Sequence, residues 1–462
     1  MESLEFVAAE LVRLAGAEIA SFIKAAEASL DSPGAVLALV EQAARDAAGR
    51  IGQTMIEAVC SASTGYVGPV VDCGCGRPAV FKGVRGKKVA TLSGPVKVDR
   101  AWYHCRTCRC GFAPLDGELG LIGKTSHGLV KACALTGMEM PFSKAAGLVE
   151  AIAGTGLVST SSLARSCRRS GDAAKARADA ENNAADMGVL LQLPLPGVSI
   201  NVGYMLIDGT GAPMVPAETT GREGKGEDGR SHTREVKIGC FFTQAAPTPK
   251  DDPVREKGSN SYIATFEDAA SFARQLRTEH IRRGFYKAKQ LIIIGDGAKW
   301  IWNIADRDWP QAVQIVDYYH ACEHVHRIVD QLTFMLARPK ELADTLIGHL
   351  NRNDIAAMTA TISELHLKPK LATKIDKALD YFKVNAHRMR YDYFKAKGWF
   401  IGSGQVESAC KTIVAQRAKQ SGTRWTIQGL DPIITMRALH QSHRDHLIWE
   451  TKLYKTTQPQ AA

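Results

Sequence analysis

Three acidic residues that are far apart in the chain have side chains and surroundings typical of a metal site. Asp208 follows the apolar residues 204–207, Asp296 follows the apolar residues 291–294 and a glycine, and Glu407 lies where small residues give way to a helical pattern. Buried strands of an open α/β sheet present their sites at their carboxyl ends, and Mg²⁺ takes oxygen ligands. The three carboxylates therefore predict a site for two divalent ions.

Each of these acids also has an ordinary structural explanation. An Asp-Gly pair after a strand is a common turn, and glycine follows both Asp208 and Asp296. Glu407 could form an i,i+4 surface pair with Lys411, which would contribute only about 0.3–0.5 kcal/mol. The metal site is favoured because the acids occur together. Asp317, at another predicted strand end, is a fourth candidate, and His320 beside it could equally be a capping or core histidine.

Cysteines form a second candidate site. Cys73 and Cys75 are separated from Cys105 and Cys108 by a β-like stretch, and two close thiol pairs of this kind can hold a tetrahedral Zn²⁺ ion that stabilises a small module. Because the first pair is C-x-C and not C-x-x-C, Cys110 is an alternative to Cys75 as a ligand. Four thiolates leave no open position, so this zinc would be structural. Free thiols that cluster by chance are the other interpretation.

Composition narrows the class of protein. The chain has 462 residues, 45% of them hydrophobic and 23% charged, which is ordinary for a globular protein of several domains. Its net charge of +10 favours a polyanionic partner. The eleven cysteines are an odd number, which favours metal binding in a reducing compartment over a disulfide framework. The first residues lack the basic charge of a secretory signal peptide, and the sequence contains no run of about 18 apolar residues that could span a membrane. We therefore expect a soluble, intracellular protein without a membrane partner.

Periodicity indicates the elements that must position these residues. Strands are predicted over 205–208, 236–242, 291–296 and 313–317, and helix from about 321 to 397 with a break at Pro339. The glycine-rich stretch 221–229 predicts a mobile loop beside the site. The predicted regions are a helical region 1–62, a zinc-ribbon-like module 63–118, a helical region 119–192, a core formed by 198–320 and 398–450, a helical insertion 321–397 and a tail 451–462, with a linker at 194–197.

The helical region 119–192 contains a possible helix-turn-helix. A short helix over 143–150 and a turn at 154–156 precede serines that could cap a second helix carrying Arg165, Arg168 and Arg169. The second helix could enter a major groove or contact phosphates. Two core helices with a solvated basic face are an equally good interpretation, because the motif is weak.

Several segments, taken in order, resemble bacterial insertion-sequence transposases of the ISKra type. The segments are 207–211, 233–239, 295–302, 315–324 and 402–408, followed by 416–417 and 421–425. The resemblance covers roughly residues 70–445, including the cysteine module. It implies an α/β fold whose RNase H-like catalytic core is interrupted by an all-helical insertion and preceded by helical and zinc-ribbon-like modules.

The resemblance also implies roles for individual residues. Asp208, Asp296 and Glu407 match the Asp-Asp-Glu (DDE) triad of the family, and Asp317 with His320 resembles the D-x-x-H element of mutator-like transposases. One Mg²⁺ or Mn²⁺ ion between the two aspartates would activate water or a 3′-hydroxyl, and a second between Asp208 and Glu407 would stabilise the leaving oxygen. The activity implied is DNA strand cleavage and strand transfer at the ends of an insertion sequence.

Partners follow from the same resemblance. Double-stranded DNA, both transposon ends and target, would be bound in the bacterial cytoplasm by a homodimer or larger assembly, with the protein associated with the nucleoid. Candidates for phosphate contacts near the triad are Lys299, Arg417, Lys419 and Arg424. The nearby Trp300, Trp302 and Trp425 are more typical of core packing than of base stacking. The competing functions are a non-catalytic DNA-binding repressor derived from a transposase and a metal-dependent nuclease without strand transfer.

Overall fold

The described part of the chain divides into two compact units. The computed structural model describes residues 4–31, 34–121, 123–154, 156–189, 200–224, 229–246, 252–444 and 446–449. Of these, 4–173 with 446–449 form the first unit and 174–444 form the second. The predicted linker at 194–197, the tail 451–462 and positions 225–228 of the glycine-rich loop lie outside the described residues.

A helical hairpin, an antiparallel sheet and short helices make up the first unit. The elements are α1 (Leu4–Ser29), α2 (Val36–Ser61), β1 (Val70–Asp72), β2 (Pro78–Thr91), β3 (Gly94–Cys105), β4 (Gly111–Phe112), α3 (Pro114–Glu118), α4 (His127–Glu139) and α5 (Phe142–Ala153). The sheet has the order β1-β2-β3-β4, and each neighbouring pair is antiparallel. Val89, Val96 and Val98 are buried and pack against Ile56 of α2, as expected for a sheet with one covered face.

Helix α6 (Thr160–Asp186) begins in the first unit and ends in the second. At its start the Ser162 amide donates to the Ser159 hydroxyl at 3.2 Å, which is the serine cap that the sequence predicts. The two helices of the predicted helix-turn-helix are therefore present as α5 and α6. The boundary between the units lies inside α6, whereas the sequence interpretation placed a boundary at 192.

The second unit is built on a five-stranded sheet. Its first elements are β5 (Val202–Pro213), β6 (Thr233–Gln244), β7 (Ser261–Thr265), α7 (Ala269–Arg282), β8 (Gln290–Gly295), α8 (Lys299–Asp308) and β9 (Val313–Val316). In the order β7-β6-β5-β8-β9, β6 is antiparallel to both neighbours, while β5, β8 and β9 are parallel. All four predicted strands are confirmed. Strand β7 was not predicted, because its sequence Ser-Tyr-Ile-Ala-Thr has no clear apolar alternation.

Helices alone follow β9 within the second unit. They are α9 (Tyr318–Asp330), α10 (Pro339–Asn351), α11 (Ile355–Ser363), α12 (Pro369–Asn385), α13 (Tyr391–Ala396), α14 (Gly404–Ala409), a π-helical turn (Cys410–Ala415), α15 (Gln416–Ala418) and α16 (Ile427–Gln441). The predicted break at Pro339 is the first residue of α10, where proline is tolerated. The helical content of 321–397 is thus confirmed.

Two further features concern the chain as a whole. Helix α17 (His446–Trp449) belongs to the first unit, although the sequence interpretation included these residues in the core. In the part of the chain that the structure describes, every helix is too short or too polar to cross a membrane. The architecture is therefore mixed α/β, with two sheets and many helices.

Candidate metal centres

Asp208 and Asp296 lie beside each other on two neighbouring parallel strands. Asp296 directly follows the last residue of β8. Asp208 lies inside β5, which continues to Pro213, so the predicted strand end at Asp208 is wrong. In the register of β5 and β8, Ile207 is paired with Gly295, so the residue that follows each of them is an aspartate at the same edge of the sheet. The strands are held there by burial on both faces, since Leu206, Ile207 and Ile294 are fully buried. This is the edge at which open α/β sheets carry their sites.

The turn explanation holds for Asp296 only, because Asp208 and Gly209 are both inside β5 and paired with β6. One carboxylate oxygen of Asp208 accepts a hydrogen bond from the Gly209 amide at 2.7 Å, and one of Asp296 accepts from the Ala298 amide at 2.9 Å. Both side chains therefore bond backbone amides close to them in the chain, and Asp296 does so as Asp commonly does at turns. A carboxylate has about four lone-pair sites, so these bonds fix the side chains and leave acceptor capacity.

The pKa of Asp208 depends most on burial and less on its polar and charged neighbours. Burial raises the pKa of Asp208, and the negative charges of Asp296 and Glu407 raise this pKa further, against the Gly209 amide and the Cys410 thiol, which lower it. A carboxyl group in this setting is harder to ionise than an exposed one. A cation beside it would remove that penalty.

Glu407 lies on α14 and is exposed. The Ser403 hydroxyl donates to its Oε1 atom at 2.8 Å. Directly after α14, the π-helical turn begins at Cys410, whose thiol donates to the Oδ2 atom of Asp208 at 3.3 Å. The segment that carries Glu407 is thereby bonded to β5. Single π-helical turns often occur at functional sites.

Asp317 has a positioning role that its sequence does not indicate. Its side chain is only 1% exposed. It caps α9 by accepting from the His320 amide at 2.5 Å, and its second oxygen accepts from the Ser403 amide. The Asp317 amide donates to the Gly295 carbonyl at 2.8 Å. The carboxylate is thus committed to backbone groups on either side of the helical segment. The His320 ring lies 3.6 Å from a Glu323 carboxylate oxygen.

Two residues of the site were missed by sequence reasoning. The Tyr381 hydroxyl, on α12, donates to the carbonyl oxygen of Asp296 at 3.1 Å. The Tyr381 ring stacks on the His324 ring with centroids 3.9 Å apart. Burial, Arg327 and His320 lower the pKa of His324 to about 4, so its imidazole is neutral near pH 7. His324 belongs to a segment that carries the family resemblance, whereas Tyr381 has no sequence signal.

The cysteine cluster has the geometry of a zinc site. Among the described residues, it is the one group of three or more His, Cys, Asp or Glu whose ligand atoms all lie within 4.8 Å of one another. The sulfurs of Cys73 and Cys108 are 3.5 Å apart, and those of Cys75 and Cys105 are 3.7 Å apart. Tetrahedral Zn–S bonds of about 2.3 Å would place the sulfurs roughly 3.8 Å apart. The four thiols could therefore hold a metal such as zinc.

Backbone amides favour the thiolate form at two of the four cysteines. At Cys75 a backbone amide acts in the same direction, but burial and the neighbouring thiols outweigh it and raise the pKa to about 12. Hydrogen bonds from the Cys110 amide, and then from the Cys73 thiol, lower the pKa of Cys108 to about 6. A hydrogen bond from the Cys108 amide lowers the pKa of Cys105. Thiolate is the form that binds metal. Cys110 lies outside the four-cysteine group, so the alternative in which it replaces Cys75 is not the arrangement found.

The predicted DNA-contacting residues fall into two groups. Most are exposed: Arg165, Arg168 and Arg169 on α6, and Lys299, Lys419 and Arg424 in the second unit. The Lys419 ammonium also donates to the Thr210 hydroxyl at 3.1 Å.

Arg417 differs from these residues. It is 1% exposed and its guanidinium lies 4.7 Å above the Trp425 ring, so it packs in the interior and does not present its charge at the surface. Trp302 and Trp425 are buried as well, which agrees with core packing. Trp300 is half-buried, 6.0 Å from the Phe272 ring.

Comparison with known proteins adds no assignment. A scan against protein-family models finds no match to the chain, and a search of curated proteins finds no significant match.

Proposed function

We propose that the chain is a DDE transposase that cuts and joins DNA strands at the ends of an insertion sequence. The observation that supports this best is the arrangement of three carboxylates around one sheet edge. Asp208 lies on β5 beside the end of β8, and Asp296 directly follows β8. The segment carrying Glu407 is bonded to Asp208 through Cys410. The charges of Asp296 and Glu407 both act on Asp208.

An RNase H-like core is proposed for the second unit. Supporting it are the strand order β7-β6-β5-β8-β9, with its antiparallel β6 and parallel β5, β8 and β9, and the position of the acids on β5, after β8 and on α14. The helices α9–α13 stand between β9 and α14, which is where an insertion would interrupt the core. This topology supports the function only by analogy, since a fold does not determine a chemistry.

The donor set fits hard divalent cations. Asp208, Asp296 and Glu407 offer only carboxylate oxygens, which Mg²⁺ and Mn²⁺ prefer. The pKa of Asp208 is raised mainly by burial and in smaller part by the charges of Asp296 and Glu407, and bound cations would offset both effects. Among the described residues the three carboxylates do not form a group whose ligand atoms all lie within 4.8 Å. They would therefore be shared between two ions, which lie about 3.5–4 Å apart in sites of this kind. When bound, the ions would supply the charge that activates a hydroxyl and stabilises a leaving oxygen.

The protein's own residues would orient this site. Ser403 holds the Glu407 carboxylate, Cys410 holds Asp208, and the Ala298 amide holds Asp296. The exposed arginines of α6 and the exposed Lys299, Lys419 and Arg424 would contact the phosphates of double-stranded DNA. Bringing two DNA ends together would require a dimer or larger assembly, and a structural zinc in the cysteine cluster would stabilise the first unit.

The test is a strand-cutting assay with the full-length protein. It would use duplexes from the DNA that flanks the coding sequence, a supercoiled target plasmid, and Mg²⁺ or Mn²⁺. We expect cutting and joining by the wild type, and at least about a 10²-fold loss of cutting in Asp208→Asn, Asp296→Asn and Glu407→Gln. Asp376→Asn, an exposed aspartate of α12, is the matched control and should cut normally.

The outcomes separate the competing functions. DNA binding without any cutting would identify a repressor, and cutting without joining would identify a nuclease. Normal cutting by any one of the three triad variants would remove that residue from the site. Because each substitution preserves side-chain size, unchanged thermal unfolding of the variants would exclude misfolding as the cause of a loss.

A further inference from the structure

The helical segment between β9 and α14 contributes one side chain directly to the backbone of a triad residue. The Tyr381 hydroxyl on α12 donates to the Asp296 carbonyl at 3.1 Å, over a separation of 85 residues in the chain. In the same turn, the Asp296 side chain accepts from the Ala298 amide. Asp296 is therefore held at its carbonyl by the helical segment and at its carboxylate by its own turn.

The Tyr381 ring also covers this turn closely. Gly297 has a φ of +94°, and a Cβ atom added to it would lie 2.6 Å from Tyr381 Cε2. The turn thus has both a backbone conformation that favours glycine and a neighbour that leaves no room for a side chain. The contact between the Asp296-Gly297 backbone and the ring is one of direct packing.

The position of the Tyr381 ring is restricted by two further aromatic contacts. His324 on α9 stacks on Tyr381 with an interplanar angle of 14°, and Phe382 meets Tyr381 edge-on with centroids 5.2 Å apart. Phe382 is itself fully buried. Aromatic contacts of this kind restrict a side chain to one orientation. The hydroxyl is consequently presented to the Asp296 carbonyl by a rigid support, as expected of groups that orient a site.

We propose that Tyr381 is a positioning residue for Asp296: through its hydroxyl and ring it holds the Asp296-Gly297 turn so that the Asp296 carboxylate keeps its place as a metal ligand. This inference rests on the proposed function. It gives the helical segment a part in the metal site besides that of a spacer. Displacements of about 1 Å at a reacting centre can cost large factors in rate, so a tether to the backbone of a ligand is sufficient to matter.

The test compares full-length Tyr381→Phe with Tyr393→Phe. The first variant removes the hydroxyl and keeps the ring on His324, and the second removes the hydroxyl of an exposed tyrosine of the same helical segment. One measurement is the hydrogen exchange of a peptide that contains the Ala298 amide. The other is Mn²⁺ binding by electron paramagnetic resonance, together with the Mn²⁺ dependence of DNA cutting.

For Tyr381→Phe we expect faster exchange in that peptide and a Mn²⁺ concentration at half-saturation that rises about 2- to 10-fold, the range expected for one hydrogen bond. Cutting at saturating Mn²⁺ should fall by less than this factor, because the ligand is displaced and not removed. Tyr393→Phe should match the wild type in both measurements.

Unchanged exchange, or an unchanged Mn²⁺ dependence, would overturn the inference. So would a loss of cutting at all Mn²⁺ concentrations with a parallel loss of thermal stability, which would make Tyr381 a purely structural residue. Failure of the proposed function has a different signature: Asp296→Asn would cut DNA normally, or the wild type would neither bind Mn²⁺ nor cut.

Discussion

The thiol of Cys410 donates a hydrogen bond to the Oδ2 atom of Asp208 at 3.3 Å, and this bond joins the π-helical turn after Glu407 to β5, the strand that contains the first aspartate. It is one of the bonds between these two parts of the second unit, together with that from Lys419 to Thr210. Cys410 is itself buried, so its thiol is not available for other partners at the surface.

Replacing Cys410 should change the pH dependence of DNA cutting. Burial raises the pKa of Asp208 and the Cys410 thiol opposes that rise, so in Cys410→Ala the pKa of Asp208 should rise further. Because a metal needs the ionised carboxylate, activity should be lost at a higher pH than in the wild type as the solution is acidified. Cutting measured from pH 5 to 9 checks this, with a deficit of about 2- to 10-fold on the acid side.

Cys410→Ser is the matched control for that experiment, because a hydroxyl can still donate to Asp208. Its cutting activity on the acid side of the pH profile should stay near that of the wild type. If the profile of Cys410→Ala superimposes on the wild-type profile, the bond does not tune Asp208.

Removing a cysteine ligand should release zinc. In Cys105→Ser or Cys108→Ser, one thiolate of the group is lost, and the zinc content measured by plasma mass spectrometry should fall from about one ion per chain to near zero. The first unit should also unfold at lower temperature, because a bound ion would link the turns at Cys73 and Cys105, whose sulfurs lie within 4.8 Å of each other. Cys110→Ser should keep its zinc. Wild-type protein purified without zinc would contradict the prediction.

Asp317→Asn should destabilise the protein much more than an ordinary cap substitution. The two Asp317 carboxylate oxygens each accept a hydrogen bond from a backbone amide, one from His320 and the other from Ser403. Asparagine has only one side-chain oxygen, and its NH₂ group cannot accept a hydrogen bond, so only one of the two bonds can form. One buried amide would lose its partner, at a cost of about 1–3 kcal/mol in the free energy of unfolding measured with urea.

The control for Asp317 is Asp354→Asn. Asp354 also caps a helix, accepting from the Ala357 amide at 2.8 Å, but in an exposed setting. Asn and Asp are nearly equivalent as exposed caps, so this variant should unfold like the wild type. Equal stabilities for the two variants would show that the Ser403 bond contributes nothing.

Glu279 predicts a second stability effect, with a defined pH window. Burial raises the pKa of Glu279, but Arg282 and then Arg444 and Ser261 outweigh burial and hold it at about 2, below its ordinary value of 4.5. A carboxyl group with a depressed pKa stabilises the fold above its ordinary value, and that stabilisation is lost as the pH falls from about 4.5 toward 2. Glu279→Gln should therefore cost about 3 kcal/mol at pH 7, with a smaller difference below pH 4.

Urea unfolding at pH 7 and pH 3 measures this difference. Glu341→Gln is the control, because Glu341 pairs with Arg338 on the surface at 2.8 Å and exposed pairs contribute about 0–1 kcal/mol. A Glu279→Gln variant that is as stable as the wild type at pH 7 would contradict the prediction.

The parts of the site that could be predicted were those with a local signal. Asp208 and Asp296 follow apolar runs that form buried strands, and the spacing of the cysteines indicated the four-thiol group. The end of the first strand was predicted wrongly, because β5 continues past Asp208 to Pro213. The bond from Tyr381 to Asp296 could not be predicted, because a hydroxyl on an amphipathic helix gives no sign of a carbonyl 85 residues away. Nor could the burial of Arg417, since a charged residue is ordinarily expected at the surface.

The double use of the Asp317 carboxylate has a consequence for how much the helical segment can vary. The helical segment begins after Asp317, which follows β9, and ends before Ser403, which precedes α14. The Ser403 amide donates to the Asp317 carboxylate, and the Tyr318 amide donates to the Ile401 carbonyl at 3.0 Å, so the two ends of the segment are bonded to each other. Because these bonds hold the two ends of the helical segment together, the ends keep their positions when the length of the segment changes. Lengthening a closed loop also costs little free energy. Glu407 would keep its position if helices were added or shortened there, provided that α12 still presented Tyr381.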